Sequence, residues 1–319
     1  MATRAPRLVA DIGGTNARFA LFYDERCELI NERTLACDNF SGPVEAIEAY
    51  LRDCNTPRPN EIAMAVATQV SHDDIKLTNN DWQFSVAATR KAVGVDRVLM
   101  LNDFTALALS LPHLKPIELR QVGGGAPAAN TAIGLIGAGT GLGVSGLIPT
   151  GRNDSAPIEG EGGHVSFSPA NEREVDILKI VWREFSHVSA ERLISGLGLD
   201  TLYRAMAQLE NLSGAVPTPA EMSQRALSGD YFCTDVLNTF CAMLGTAASN
   251  LAVTLGARGG IYIGGGIVPK LGEFFDRSPF RSRFESKGRF SEYLAAIPSY
   301  VILAEYPALQ GAARALLRG

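Results

Sequence analysis

The chain has 319 residues, long enough for two compact cores, and its 46% apolar and 20% charged residues place it among globular rather than disordered proteins. A net charge of −5 argues against a nucleic-acid or anionic-membrane surface, which needs a basic stripe. No run of about 18 apolar residues is available to span a membrane, and the basic N-terminus runs straight into a glycine motif without the small-residue cleavage site of a signal peptide.

Residues 7–10 are a short apolar run feeding Asp11-Ile-Gly-Gly-Thr-Asn, and residues 18–23 are apolar again, the pattern of two strands joined by a glycine turn. Ser41 stands where an N-cap belongs, with Val44, Ile47, Tyr50 and Leu51 at helical spacing behind it. Residues 62–67 read as a buried strand and 86–93 as a helix. Residues 97–101 read as a strand ending on Asn102-Asp103, and 104–111 as a helix. Strands alternating with helices predict an α/β sheet. Residues 112–130 carry Pro112, Pro116, Gly123 to Gly125 and Pro127, and read as a loop at a lobe boundary. Residues 131–136 and 143–149 read as strands around a second glycine turn. From about 171 to 256 the chain reads as mainly helical. One helix there shows Val175, Leu178, Val181, Trp182 and Phe185, and another covers residues 234–255 and is apolar over much of its surface. A short strand and a glycine cluster follow at 260–266. Residues 276–293 are rich in Arg and Lys and read as a solvated face. Residues 300–303 read as a last strand and 309–317 as a closing helix. Cys27, Cys37, Cys54, Cys233 and Cys241 form no CxxC pair, so free thiols in a reducing, cytoplasmic setting are expected.

Clustered glycines mean positive φ or close approach of something to the backbone. In the first turn, Gly13, Gly14 and Thr15 offer backbone N–H groups and a hydroxyl in an anion-binding concavity. Asp11 cannot bind phosphate directly and suits Mg²⁺ held through water, with no direct metal ligand expected. The alternative is a plain hairpin turn. Neither GxxxxGK[ST] nor GxGxxG opening a helix occurs here. The second turn, with Gly137, Gly139, Thr140 and Gly141, repeats the design of the first, and the echo suggests two related lobes facing one ligand. A third cluster, Gly264-Gly265-Gly266, sits between a strand and a helix. There a flat ring can meet the backbone at Gly265, or the glycines simply make a tight turn.

Asp103, just past a strand, is the candidate general base. A carboxylate there can take a proton from a hydroxyl attacking a phosphoryl group, and phosphoryl transfer asks little else of the protein than positioning and charge stabilisation. Asn102-Asp103 can equally cap the following helix. In Glu159-Gly-Glu161-Gly-Gly-His164, Glu161 and His164 can hydrogen-bond hydroxyls, and the spacing is not that of the HExxH zinc motif. Glu191 sits at an expected helix start, where a carboxylate favours the dipole.

Taken together, in order and spacing, ADIGGTNARFAL, LTNNDWQFS, LNDFTALALSLP, IGAGTGLGVSGLIP, EGEGGHVSFSP, HVSAERLISGLGLDTLYRA, GGIYIGGGIVPKLGEFF and ESKGRF resemble bacterial glucokinases of the group without the repressor-type zinc motif, within the hexokinase–actin–Hsp70 superfamily. The resemblance covers nearly the whole chain. It implies a two-lobed actin-like ATPase (ribonuclease H-like) fold. A small α/β lobe of residues 1–112 would be completed by the C-terminal helix at 305–319, with a larger α+β lobe at 113–304 and a cleft that closes during catalysis. It implies ATP and Mg²⁺, with D-glucose phosphorylated on its 6-hydroxyl and Asp103 as the base. Sugar contacts would come from Asn102, Asp103, Glu161, His164 and Glu191, phosphate contacts from residues 11–15 and 137–141, and an adenosine contact from around Gly265. A homodimer is implied as well. The zinc-binding cysteine cluster of repressor-type kinases is missing after His164, and no helix-turn-helix segment precedes Asp11, which counts against a DNA-binding repressor. One loop departs from the family pattern: Gln69 stands in place of Pro and His72 in place of Gly, while Asn79 matches. The departure leaves open a kinase for another hexose or an amino sugar. A glucose-binding regulator with little turnover is a further alternative, against which Asp103 and the glycine turns argue.

Overall fold

The computed structural model describes residues 5–70, 72–77, 80–151 and 154–318. In chain order the strands and helices begin with β1 (Arg7–Ile12), β2 (Asn16–Phe22), β3 (Ile30–Ala36), α1 (Pro43–Cys54), β4 (Glu61–Val66), β5 (Asp74–Lys76), β6 (Gln83–Ser85), α2 (Val86–Val93), β7 (Arg97–Asn102) and α3 (Asp103–Ser110). They continue with β8 (Leu119–Val122), β9 (Ile133–Ala138), β10 (Leu142–Gly151), β11 (Asp154–Pro157), α4 (Glu172–Val181), α5 (Gly196–Leu209), α6 (Pro219–Leu227), α7 (Tyr231–Leu255) and β12 (Ile261–Gly264). The last are α8 (Ile267–Leu271), α9 (Glu273–Arg277), α10 (Phe280–Glu285), α11 (Ser291–Ala295), β13 (Ser299–Ile302) and α12 (Pro307–Leu317). The chain forms two compact units, one of Met1–Leu114 with Ala304–Gly319 and one of Lys115–Leu303.

Among the described residues the first unit holds a five-stranded sheet ordered β3-β2-β1-β4-β7. The hairpin strands pair antiparallel, and β1, β4 and β7 run parallel. Alternation along each strand feeds both faces. Leu8, Ala10 and Ile12 join Ile47 and Tyr50 of α1 on one side, and Val9 joins Leu309, Ala312 and Leu316 of α12 on the other. That double burial makes these strands nearly continuous apolar runs. Each fully buried large side chain, such as Ile12 or Ile47, contributes about 1.5–3 kcal/mol. Helix α2 spans the residues that the sequence predicts. The Ser85 hydroxyl accepts from Ala88 N–H at its start, and Gly94 in the left-handed region ends it.

The second unit holds a six-stranded sheet ordered β11-β10-β9-β12-β13-β8. Its first five strands repeat the plan of the other sheet: β11, β10 and β9 pair antiparallel, then β9, β12 and β13 run parallel. By length and composition α7 could cross a membrane, yet most of it is packed inside this unit. Phe240, Met243 and Leu244 are fully buried in one core with Ile263 and Phe280.

Several expectations are corrected. Ser41 is not the N-cap of α1; Gly42 is, with Pro43 following, and Ser41 instead donates through N–H and hydroxyl to Glu45. Residues 112–130 are not all loop, because β8 pairs antiparallel with β13. Residues 276–293 are not a solvated face. Phe280 and Phe284 are fully buried, and Arg283 pairs with Glu174, only 3% exposed, at 2.6 Å. Arg281 ties the segment in through Glu285, the Ala295 and Ile297 carbonyls and the Ser299 hydroxyl.

Candidate active site

In the first unit the hairpin β1–β2 turns through Gly13, Gly14 and Thr15, closed by a bond from Gly13 N–H to Asn16 O at 3.0 Å. Asp11 and Arg18 face each other across the hairpin and pair at 2.9 Å. Burial pushes the Asp11 carboxyl above its ordinary range, while the Arg18 guanidinium pulls it back down. The turn is braced from behind. Gly13 O accepts from the Cys37 thiol, Gly14 O from Asn80 Nδ2, and Thr15 O from Cys37 N–H at 2.8 Å. Sequence reasoning missed Cys37 and Asn80, which lie 24 and 66 residues from their partners. Only the tight Asn80-Asp-Trp82 turn before β6 gave any local hint of one of them.

Asn102 ends β7 and caps α3, its Oδ1 accepting from Phe104 N–H at 2.9 Å and Thr105 N–H at 3.2 Å. Asp103 is the first residue of α3, half-buried, with Oδ1 accepting from Phe104 N–H at 2.9 Å. The two residues thus divide the work: Asn102 is the cap, and Asp103 is the first residue inside the helix. Asn102 Nδ2 donates to Thr68 O at 3.4 Å, so the loop that departs from the family pattern is tied to Asn102. In that loop Gln69 and His72 are exposed, and Asp73 accepts from Ser85 and from Ala87 N–H at the start of α2. Ser71 and Asn79 lie outside the described residues.

The second unit gathers its candidate residues tightly. Gly137 is a strand residue paired with Gly143 and Gly264, so the turn proper is Gly139, Thr140 and Gly141. Gly139 N–H bonds Gly141 O, and Gly139 O accepts from Gly196 N–H, both at 2.8 Å. None of Gly13, Gly139 and Gly141 has positive φ, so close approach is what remains of the two uses of glycine there. A Cβ at Gly139 would meet nothing within 4 Å, whereas one at Gly141 would come within 2.4 Å of Glu191 Oε2. Glu191 is not at a helix start. Helix α5 begins five residues later, capped by Ser195, and the Glu191 carboxylate accepts from Leu142 N–H at 2.9 Å. Its own N–H bonds Gly163 O at 2.9 Å, which joins it to residues 161–164. There His164 N–H bonds Glu161 O at 3.0 Å, and both side chains are exposed. Gly265 has φ +79°, and a Cβ on it would come within 2.3 Å of Ala138 O, so it locks the third glycine cluster against the end of β9. At Gly266 there is open space instead.

A cavity of about 390 Å³ lies in the same unit, lined by Leu142, Val144 and Ile158 with Met243 and Leu251 of α7. Glu161, His164 and Glu191 are not among its lining residues.

The glucokinase family model matches residues 8–318. The chain is 52% identical to the glucokinase of Aromatoleum aromaticum, over 98% of this chain and 94% of that protein. The crystal structure of a glucokinase from an Antarctic psychrotroph matches with a TM-score of 0.88 at 34% identity, covering 98% of this chain and 99% of that one. A ROK family glucokinase from Streptomyces griseus, solved with glucose and AMPPNP, matches at 20% identity with a TM-score of 0.65, covering 99% and 100%. At that distance it shows the fold alone, the two-lobed actin-like ATPase fold that the resemblance implied. The chain belongs to the glucokinase family.

Proposed function

We propose that this chain phosphorylates D-glucose on its 6-hydroxyl with ATP and Mg²⁺. The observation that carries the reading is the repeat between the two sheets. Each turns its β-hairpin through a Gly/Thr tip with an exposed threonine, Thr15 in one unit and Thr140 in the other. Both tips present backbone N–H groups suited to the outer phosphates of ATP. Glucose as acceptor draws its support from family membership.

Asp103 accepts the proton of the 6-hydroxyl as that oxygen attacks the γ-phosphoryl group. Its place where β7 ends and α3 begins holds it still. Asn102, Glu161, His164 and Glu191 bind the sugar hydroxyls, and the Gly265–Gly266 corner borders the adenosine. Sugar binding energy that assembles the site favours glucose over water as acceptor. For Mg²⁺ the candidate donor among the described residues beside the first turn is the Asp11 carboxylate, 16% exposed and already paired with Arg18. That fits an ion that keeps most of its waters and reaches the protein through one carboxylate and the substrate phosphates. When bound, the ion neutralises charge on the phosphates. A homodimer and a cytoplasmic location complete the reading; the five free thiols suit a reducing compartment.

A second reading, a kinase preferring another hexose or an amino sugar, rests on Gln69 and His72, which depart from the family pattern in the loop that Asn102 bonds through Thr68 O. Steady-state kinetics with ATP and Mg²⁺ on glucose, mannose, fructose and glucosamine separate the two. Glucose is expected to give the highest kcat/KM, and a clear preference for another sugar would replace it. In the same assay Asp103→Asn is expected to lower kcat by about 10²- to 10⁴-fold with the fold intact. Near-normal turnover would remove Asp103 as the base.

A further inference from the structure

The backbone oxygens of the first glycine turn are all held from one side. Gly13 O accepts from the Cys37 thiol at 3.6 Å, Gly14 O from Asn80 Nδ2 at 3.2 Å, and Thr15 O from Cys37 N–H at 2.8 Å. A trans peptide unit points its C=O and its N–H in opposite directions. Holding the Gly13 and Gly14 carbonyls therefore turns the N–H groups of Gly14 and Thr15 away from Cys37 and Asn80. The oxygens, which would repel a polyphosphate, are withdrawn on one side, and the donors that attract it are presented on the other.

The brace is itself fixed. Asn80 Oδ1 accepts from Trp82 N–H at 2.9 Å, and the buried Trp82 ring donates through Nε1 to Phe40 O at 3.0 Å. Phe40 N–H returns to Cys37 O at 3.0 Å, so Asn80, Trp82, Phe40 and Cys37 form one linked set of bonds. Burial lifts the Cys37 thiol above its ordinary range, which keeps it protonated and able to donate at neutral pH. Without such a brace a Gly-Gly turn samples many conformations. Donors fixed beforehand lose less entropy when a ligand arrives.

We infer that Cys37 and Asn80 are positioning residues that set the Gly14 and Thr15 N–H groups for the nucleotide phosphates. The inference rests on reading this turn as a phosphate site, and the experiment separates the two. Asn80→Ser keeps the local turn, because a serine hydroxyl also accepts from the N–H two residues on, but it is too short to reach Gly14 O. Cys37→Ala removes the thiol donor, and Cys37→Ser restores a donor. Thr15→Asp places a carboxylate on the exposed tip and tests the phosphate reading by itself.

The measurements are KM for ATP at saturating glucose, KM for glucose at saturating ATP, and the melting temperature. Asn80→Ser is expected to raise the ATP KM about fivefold, the worth of one neutral hydrogen bond. Cys37→Ala is expected to raise it about twofold, since a thiol is the weaker donor, with recovery in Cys37→Ser. The glucose KM stays where it is. Thr15→Asp is expected to raise the ATP KM by more than either. If Thr15→Asp raises it while Asn80→Ser leaves it within a factor of two and Cys37→Ala leaves it unchanged, the brace is irrelevant and the inference fails. If Thr15→Asp has no effect, the phosphate reading of this turn fails first. A proportional rise in both KM values, together with a lower melting temperature, would reduce Cys37 and Asn80 to general structural support and also overturn the inference.

Discussion

Gly311 of α12 lies so close to Ala106 of α3 that a Cβ on the glycine would come within 1.6 Å of the Ala106 carbonyl oxygen. The two helices therefore touch backbone to backbone, and no side chain can be inserted without moving one of them. Helix α3 begins with Asp103, so this contact near the C-terminus sets where that carboxylate stands.

Gly311→Ala is expected to destabilise the first unit by about 3 kcal/mol, the upper range for forcing atoms into a packed interface. It is also expected to lower kcat, because α3 must shift to relieve the overlap. Denaturant unfolding and steady-state kinetics on the same preparation check both. Unchanged stability would mean that the helices separate easily, and the contact would then have no say over Asp103.

The second glycine turn allows a cleaner separation of fold from function. A Cβ at Gly139 meets no protein atom within 4 Å, while one at Gly141 runs into Glu191. Gly139→Ala is expected to leave the melting temperature unchanged or slightly higher, since alanine has fewer unfolded states to lose. It should nevertheless raise the ATP KM about tenfold if phosphate must approach that backbone. Gly141→Ala is expected to lower the melting temperature and raise the glucose KM, because Glu191 has to leave Leu142. Measuring both KM values for the pair tests the assignment. Equal effects in the two variants would show that the turn does not distinguish its two glycines.

How much of this was readable beforehand follows from the range of each interaction. Helix α2 was legible to the residue because its signals, the Ser85 cap and the terminal Gly94, are local. The glycine turns were legible for the same reason. Strand β3 was not, since Ile30–Ala36 is an edge strand with polar residues exposed along it and lacks the alternation that marks a half-buried strand. Strands β5 and β6 have three residues each, too few to show a period. Glu191 looked like a helix start because nothing local reveals a partner 49 residues away at Leu142. Residues 276–293 looked solvated because charge dominated the composition, while Phe280 and Phe284, four apart, carried the buried stripe. The brace behind the first turn joins three separate segments and became visible only once they were folded together.

Asp11 links stability to function through its protonation. Burial raises its carboxyl above the ordinary value of 3.8, and the Arg18 pair offsets only part of that. The folded chain therefore holds this proton more tightly than the unfolded chain does. Between 3.8 and the raised folded value, the folded state binds more protons, so stability falls as pH rises through that window. Below that window the site contributes no penalty, and above it the penalty is fully present. Asp11→Asn removes the charge while keeping the shape. The variant is expected to match the parent near pH 4 and to melt higher than it at pH 7–8. Activity should move the other way, falling about 10- to 100-fold if the carboxylate supports Mg²⁺ through water. Melting curves across that pH range, paired with a Mg²⁺ titration of activity, test both halves. A variant less stable than the parent at pH 8 would mean that the Arg18 pair outweighs burial. Stability gained where activity is lost marks Asp11 as a residue held in an unfavourable setting for its chemistry.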